Sequence, residues 1–175
     1  MPVRNRKESQ SEPKATRPHA PGYGLPKTSK GLLSWKWAQD RLTRSREYWI
    51  ATVRPNGAPH VMVIWGLWQE NEFFFSTGSQ SRKAQNLAKN AKCVICNEDA
   101  GEAVIAEGLA RRLRDVPRIR KFLSLYERKY KFDMSGMEDG MISLKEPVFV
   151  VKATKVFGQA EKSFATTATR WKFKK

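Results

Sequence analysis

The 175 residues are 40% hydrophobic and include 6 Trp, 4 Tyr and 9 Phe, enough for one domain with its own core, while 11 Gly and 9 Pro exclude a collagen-like or low-complexity chain. No apolar run approaches the roughly 18 residues a spanning helix needs, and two cysteines with no apolar signal core near the N-terminus predict a soluble protein of the reducing cytoplasm. The net charge of +16 narrows the partners without naming one, because nucleic acid, an acidic membrane surface and a polyanionic cofactor or substrate all answer to it.

Residues 1–30 hold seven Lys or Arg against two Glu, with five Pro and few large apolar groups. That composition predicts a disordered basic tail and assigns the folded domain to residues 31–175. Ser34 is placed to cap a helix running through Arg46, with Trp35, Ala38 and Leu42 at helical spacing. Residues 48–54 are β-prone, Pro55-Asn56-Gly57 is turn chemistry and 59–68 is a run of Val, Ile, Met and Trp, so the stretch predicts a hairpin. A polar turn at 69–72 precedes a short aromatic strand at 73–77. In SQSRKAQNLAKN, either Ser79 or Ser81 can cap a short helix. Residues 92–97 and 103–113 alternate as strands around a turn at 98–101. Over 116–131, Ile119, Phe122, Leu123, Tyr126 and Tyr130 form one apolar helical face, and the opposite face is basic. A strand at 147–157, a break at Gly158 and a last strand within ATRWKF complete the chain. About six strands joined mainly by hairpins predict an α+β protein built on an antiparallel barrel, not a βαβ sheet.

The segment FFFSTGSQSRKAQNL runs from strand through tight loop to helix N-terminus. Free backbone amides and the positive end of the helix dipole meet there, and Ser81, Arg82 and Lys83 add a hydroxyl and two cations. The same residue pattern also describes an ordinary cap followed by solvated charges, so spacing leaves both open. Cys93 and Cys96 form a C-x-x-C, but positions three apart on a strand face opposite sides and no second ligand pair is present, which predicts thiols and no metal site. His60 beside its turn can hydrogen-bond locally or meet a ligand. His19 falls in the tail.

Thr77 followed by SRKA, behind an aromatic strand and the hairpin ATVRPNGAPHVMVIWGLW, resembles the FMN phosphate motif of the pyridoxamine 5'-phosphate oxidase family, and the likeness in element order extends from about Ser34 to Phe173. The resemblance implies a six-stranded antiparallel Greek-key split β-barrel, a homodimer with the cofactor at the subunit interface, and hydride transfer between FMN, or a deazaflavin coenzyme, and a small organic substrate. It implies that Thr77, Ser81, Arg82 and Lys83 hold the cofactor phosphate. His60, Val61, Met62, Val63 and Trp65 would line the ring edge, and Arg170 with Trp171 would reach the ring from the other subunit. The oxidase itself carries an Arg and a His two residues apart near its C-terminus, whereas this chain reads Thr169-Arg170-Trp171-Lys172. The resemblance therefore does not extend to vitamin B6 oxidation; the hairpin ATVRPNGAPHVMVIWGLW and the terminal ATRWKF resemble the family's stand-alone reductase-like members. In hydride transfer the ring is the chemical agent, so no acid–base pair need show in the sequence. Two alternatives use other chemistry: a flavin- or haem-binding protein without turnover, and a polyanion- or nucleic-acid-binding module motivated by the charge and by the interleaved Arg and aromatic residues at 111–131.

Overall fold

The computed structural model describes residues 12–173, and its regular elements follow the hydrophobic periodicities in chain order. β1 (Lys14–Thr16) precedes α1 (Trp35–Arg44), whose Ser34 cap accepts from the Trp37 amide and whose buried stripe is Trp35, Ala38 and Leu42. β2 (Glu47–Val53) and β3 (Pro59–Trp65) form the hairpin around Pro55-Asn56-Gly57, with Gly57 at φ 85°. On β2 the alternation buries Tyr48, Ile50 and Thr52 and turns Trp49 outward.

The run expected as one strand over 59–68 is two. It breaks at Gly66, where a Cβ would lie 2.2 Å from the Phe73 ring and 2.7 Å from the Phe74 carbonyl oxygen, so only glycine admits this close approach. β4 (Leu67–Gln69) then turns through Glu70 and Asn71, both at positive φ, into β5 (Glu72–Ser76). After α2 (Arg82–Lys89) come β6 (Lys92–Asn97) and β7 (Glu102–Arg112), followed by α3 (Val116–Tyr130) and the short α4 (Glu138–Ile142). β8 (Val148–Ala160), α5 (Phe164–Thr167) and β9 (Thr169–Lys172) close the chain.

The nine strands among the described residues form one antiparallel sheet in the order β1-β9-β8-β7-β6-β2-β3, with β5 also on β8 and β4 on β5. This is the open, split-barrel arrangement expected, with more strands than six. Its curvature centres on β8, which spans 13 residues and carries β7 along one edge and β5 then β9 along the other. A register shift at Glu107/Gly108 bends β7 around that strand. Gly158 does not break β8 as expected: the strand runs on to Ala160, and the missing side chain makes room for Trp171, whose ring would meet a Cβ at 2.7 Å. The barrel encloses one cluster around Trp35, Tyr48, Phe73, Phe75, Ile95 and Trp171, and α3 covers a second around Ile119, Phe122, Met141 and Val148.

Within the stretch expected to be a disordered tail, residues 1–30, the structure places a strand at Lys14–Thr16, while residues 1–11 lie outside the described residues. Lys14–Thr16 pairs with the free edge of β9. Arg17 then binds four carbonyl oxygens, those of Thr28, Lys30, Thr166 and Ala168, at 2.6–3.1 Å. A three-residue strand has too little pattern to show in composition; its order comes from the edge it joins and the guanidinium that follows it.

Candidate functional site

Ser81, not Ser79, caps α2: its Oγ accepts the Ala84 amide at 3.2 Å and the Thr77 hydroxyl at 3.0 Å. The loop is tied at its base, since the Ser81 amide donates to the Gly78 carbonyl and the Ser79 amide to the Lys145 carbonyl. Thr77, Ser81, Arg82 and Lys83 are thus gathered at one helix mouth, where the first amides have no intrahelical partner. Arg82 is exposed and Lys83 half-buried, and burial lowers the Lys83 amine from its ordinary range.

His60 stands beside them. Partial burial first, and then the positive charges of Arg54, Lys83 and Arg82, hold its imidazole below the usual value, so it is the neutral form that faces this cationic patch near pH 7. Its Nδ1 lies 3.4 Å from the Thr52 hydroxyl, which accepts from the fully buried Asn86 amide at 3.0 Å. Thr52 and Asn86 were not anticipated from sequence. A Thr on the inward face of a strand and an Asn on the apolar stripe of a helix were the available signals.

Behind the helix mouth runs β3, the last strand in the sheet order, so among the described residues its outer edge carries no strand and its backbone polar groups are open. Val61, Met62 and Val63 are 51%, 46% and 42% exposed. Val61 and Val63, with Trp49 and Leu109, belong to an apolar outer surface, next to a groove of about 530 Å³ lined by Ala51, Val53, Val94 and Leu109 and flanked by Lys92, Glu107 and Lys155, whereas Met62, opposite Ile50, shares the other face of β3 with His60. Cys93 points inward, where burial pushes its thiol up to about 12, and Cys96 lies on the outer face. No group of metal-ligating side chains occurs among the described residues.

Trp65 ends β3 and is held from behind. Its ring stacks on Tyr130 at 4.5 Å and 2°, and the Tyr130 hydroxyl accepts the Gly66 amide at 2.8 Å. Lys129 is turned inward, donating to the Tyr48 hydroxyl at 2.9 Å and the Gly66 carbonyl at 3.0 Å, and burial pushes its amine down to about 8. The basic face expected on α3 is therefore smaller than its sequence suggests. Arg118 pairs with Glu72 at 2.6 Å, Lys121 with Glu70 at 3.3 Å and Arg120 with Glu138 at 2.9 Å.

Within one chain Arg170 and Trp171 lie on β9, toward the other end of the sheet order from β3. Trp171 is fully buried, edge-on to Trp35 at 5.5 Å, and has no surface left for a ligand or a second subunit. The Arg170 Nε donates to the Thr16 hydroxyl of β1, the strand that covers this edge.

A family model described as pyridoxamine 5'-phosphate oxidase matches residues 35–160. Among solved structures, a conserved hypothetical protein from Mycobacterium tuberculosis is similar at 22% identity over 74% of this chain and 86% of its own, with a TM-score of 0.65. An F420 reductase is similar at 21% identity over 67% of this chain and 94% of its own, with a TM-score of 0.55. The haem storage protein HutZ from Vibrio cholerae is similar at 19% identity over 67% and 85%, with a TM-score of 0.52. At these identities the likeness speaks for the fold. No curated protein matches this chain.

Proposed function

We propose, from the premise that this chain belongs to the pyridoxamine 5'-phosphate oxidase family, that it is an oxidoreductase holding a phosphorylated flavin-type cofactor between the mouth of α2 and the open edge of β3. The observation that carries this is the convergence of the Thr77 and Ser81 hydroxyls with the Arg82 and Lys83 cations at one helix N-terminus, beside a neutral His60. Hydroxyls, amides and two cations are the donors a phosphate monoester takes, so the residues present fit the group. The open backbone of Val61, Met62 and Val63 offers N–H and C=O groups to the edge of a heterocyclic ring, and Trp65, fixed by Tyr130, limits where that ring can lie.

The cofactor, when bound, supplies the hydride chemistry. The chain binds, orients and keeps water from it. FMN suits a site whose cations sit at one point. A deazaflavin with an acidic tail would need further free cations; on α3 Arg118, Lys121 and Lys129 are engaged, and Arg128 is exposed with no ion pair among the described residues.

Hydroxyl-and-cation capture of phosphate leaves one side of the ring site uncovered, and a second copy of the chain packed on Trp49, Val61, Val63 and Leu109 would cover it. Trp49→Asp is expected to turn a dimer into a monomer in analytical ultracentrifugation, and to weaken cofactor binding with it. Absorbance spectra during titration with FMN, and separately with the deazaflavin coenzyme, test the proposal: saturable binding of neither would end it. A haem Soret band in their place would favour the non-catalytic alternative.

A further inference from the structure

A second pocket, of about 180 Å³, opens beside the same loop. Ser76, Thr77 and Gly78 line it together with Tyr126 of α3, Phe132, Met134, Met137 and Met141. Met134 and Met141 are buried, while Phe132 keeps 47% of its surface exposed. Trp65 lies 6.2 Å from both Phe132 and Tyr126, so the pocket borders the strand assigned to the ring edge. Its charge is out of character with the rest of the molecule. In a chain with 33 Lys and Arg against 17 Asp and Glu, no cation lines it and Glu146 is its one carboxylate. Burial raises the Tyr126 phenol to about 12, so that side chain stays neutral at physiological pH.

We infer that this pocket receives the body of the organic substrate and selects small planar molecules that are neutral or positively charged. Three thioethers and two aromatic side chains give a polarizable, adaptable wall for a flat ring. A cation gains from the faces of Phe132 and Tyr126 and from Glu146. An anion gains nothing here: it would give up its hydration to meet a carboxylate, with no cation in the lining to replace the water. The volume admits one or two fused rings and excludes drug-sized molecules. The substrate role rests on the cofactor proposal; the charge preference of the pocket does not.

Three ligands with one ring body and different charge test it: naphthalene-2-methanol, 2-naphthylmethylamine as its ammonium ion, and 2-naphthoate. Their binding to the full-length protein is read from the methyl resonances of ¹³C-methyl-methionine. The alcohol and the ammonium ion are expected to shift Met134, Met137 and Met141 and to leave Met62 in place, with the naphthoate at least about tenfold weaker. Glu146→Gln should narrow the lead of the ammonium ion over the alcohol. Met137→Lys should invert the order and admit the naphthoate; should that variant unfold, Glu146→Lys at the exposed rim carries the same test. Equal affinities for all three ligands, or shifts elsewhere than at these methyls, would overturn the inference even if FMN binds tightly. The expected order in a protein that binds no FMN would support the pocket's selectivity and remove its role in the proposed reaction.

Discussion

The two ends of the sheet carry similar residues and do opposite things with them. At the β9 end, Arg17 spends its guanidinium on four carbonyl oxygens, Arg170 meets Thr16, and Trp171 is sealed behind Gly158. At the β3 end, Arg82 and Lys83 have no ion pair among the described residues, the hydroxyls of Thr77 and Ser81 face a helix mouth, and three apolar residues stand exposed on an unpaired edge. Cations and aromatics point to a ligand only where the fold has not already satisfied them. The resemblance names both ends as cofactor contacts; burial leaves Trp171 no exposed surface, while Arg170 keeps part of its own.

The strongest way to break this comparison is to cut at the sealed end. Trp171→Ala removes a fully buried indole from the main core and is expected to cost about 3–5 kcal/mol in urea unfolding, with cofactor affinity unchanged in the fraction that stays folded. A variant that kept its stability but lost FMN would put Trp171 back in the site. At the open end the pattern should reverse. Arg82→Ala with Lys83→Ala is expected to weaken FMN binding by roughly 100-fold or more, since a hydrogen bond to a charged group contributes about 1.5–3 kcal/mol. Its circular dichroism melt should match wild type; unchanged affinity would discard the phosphate site.

A smaller effect sharpens the boundary between strap and site. Arg17→Ala should lower stability by about 1–2 kcal/mol, because it loses charge-assisted bonds that are mostly solvent-exposed, and should leave FMN titration untouched. The smallest effect is a slope. The Lys129 amine titrates near 8 when folded and near 10.5 when unfolded. Between those values the unfolded chain binds more protons, so this group makes stability rise with pH from about 8 upward. Cys93, raised to about 12, pulls the other way above pH 9. The difference between wild type and Lys129→Met isolates the lysine: their gap in denaturation midpoint should change between pH 7.5 and 9.5, and a constant gap would mean that the amine is not buried as described.

How much of this was legible depends on whether the signal was local. Pro55-Asn56-Gly57 sets the β2–β3 hairpin with its own φ angles, and the stripe from Ile119 to Tyr130 sets α3, so both were readable. The helix cap was ambiguous between two serines until the Thr77 hydroxyl and the Ala84 amide selected Ser81. β1 was unreadable because three residues in a Pro-rich stretch pair only when β9 is there to receive them. Gly158 was misread because a glycine that notches a strand for an indole looks the same, in sequence, as one that ends it. In the candidate site, Thr77, Ser81, Arg82 and Lys83 lie within seven positions, so a single stretch of sequence presents them together. The inward Lys129 counted as surface charge, and the Thr52–Asn86 pair, 34 positions apart, had no pattern to announce it.

The bare rim of β3 has a consequence for handling the protein. Among the described residues, the amides and carbonyls along the outer edge of β3 at Val61, Met62 and Val63 have no strand partner, which makes this edge a template on which another copy can add a strand. The +16 charge opposes such stacking by mutual repulsion, and dissolved electrolyte shortens the reach of that repulsion. Preparations stripped of ligand should therefore cloud as ionic strength climbs, the opposite of what a protein held together by surface ion pairs would do.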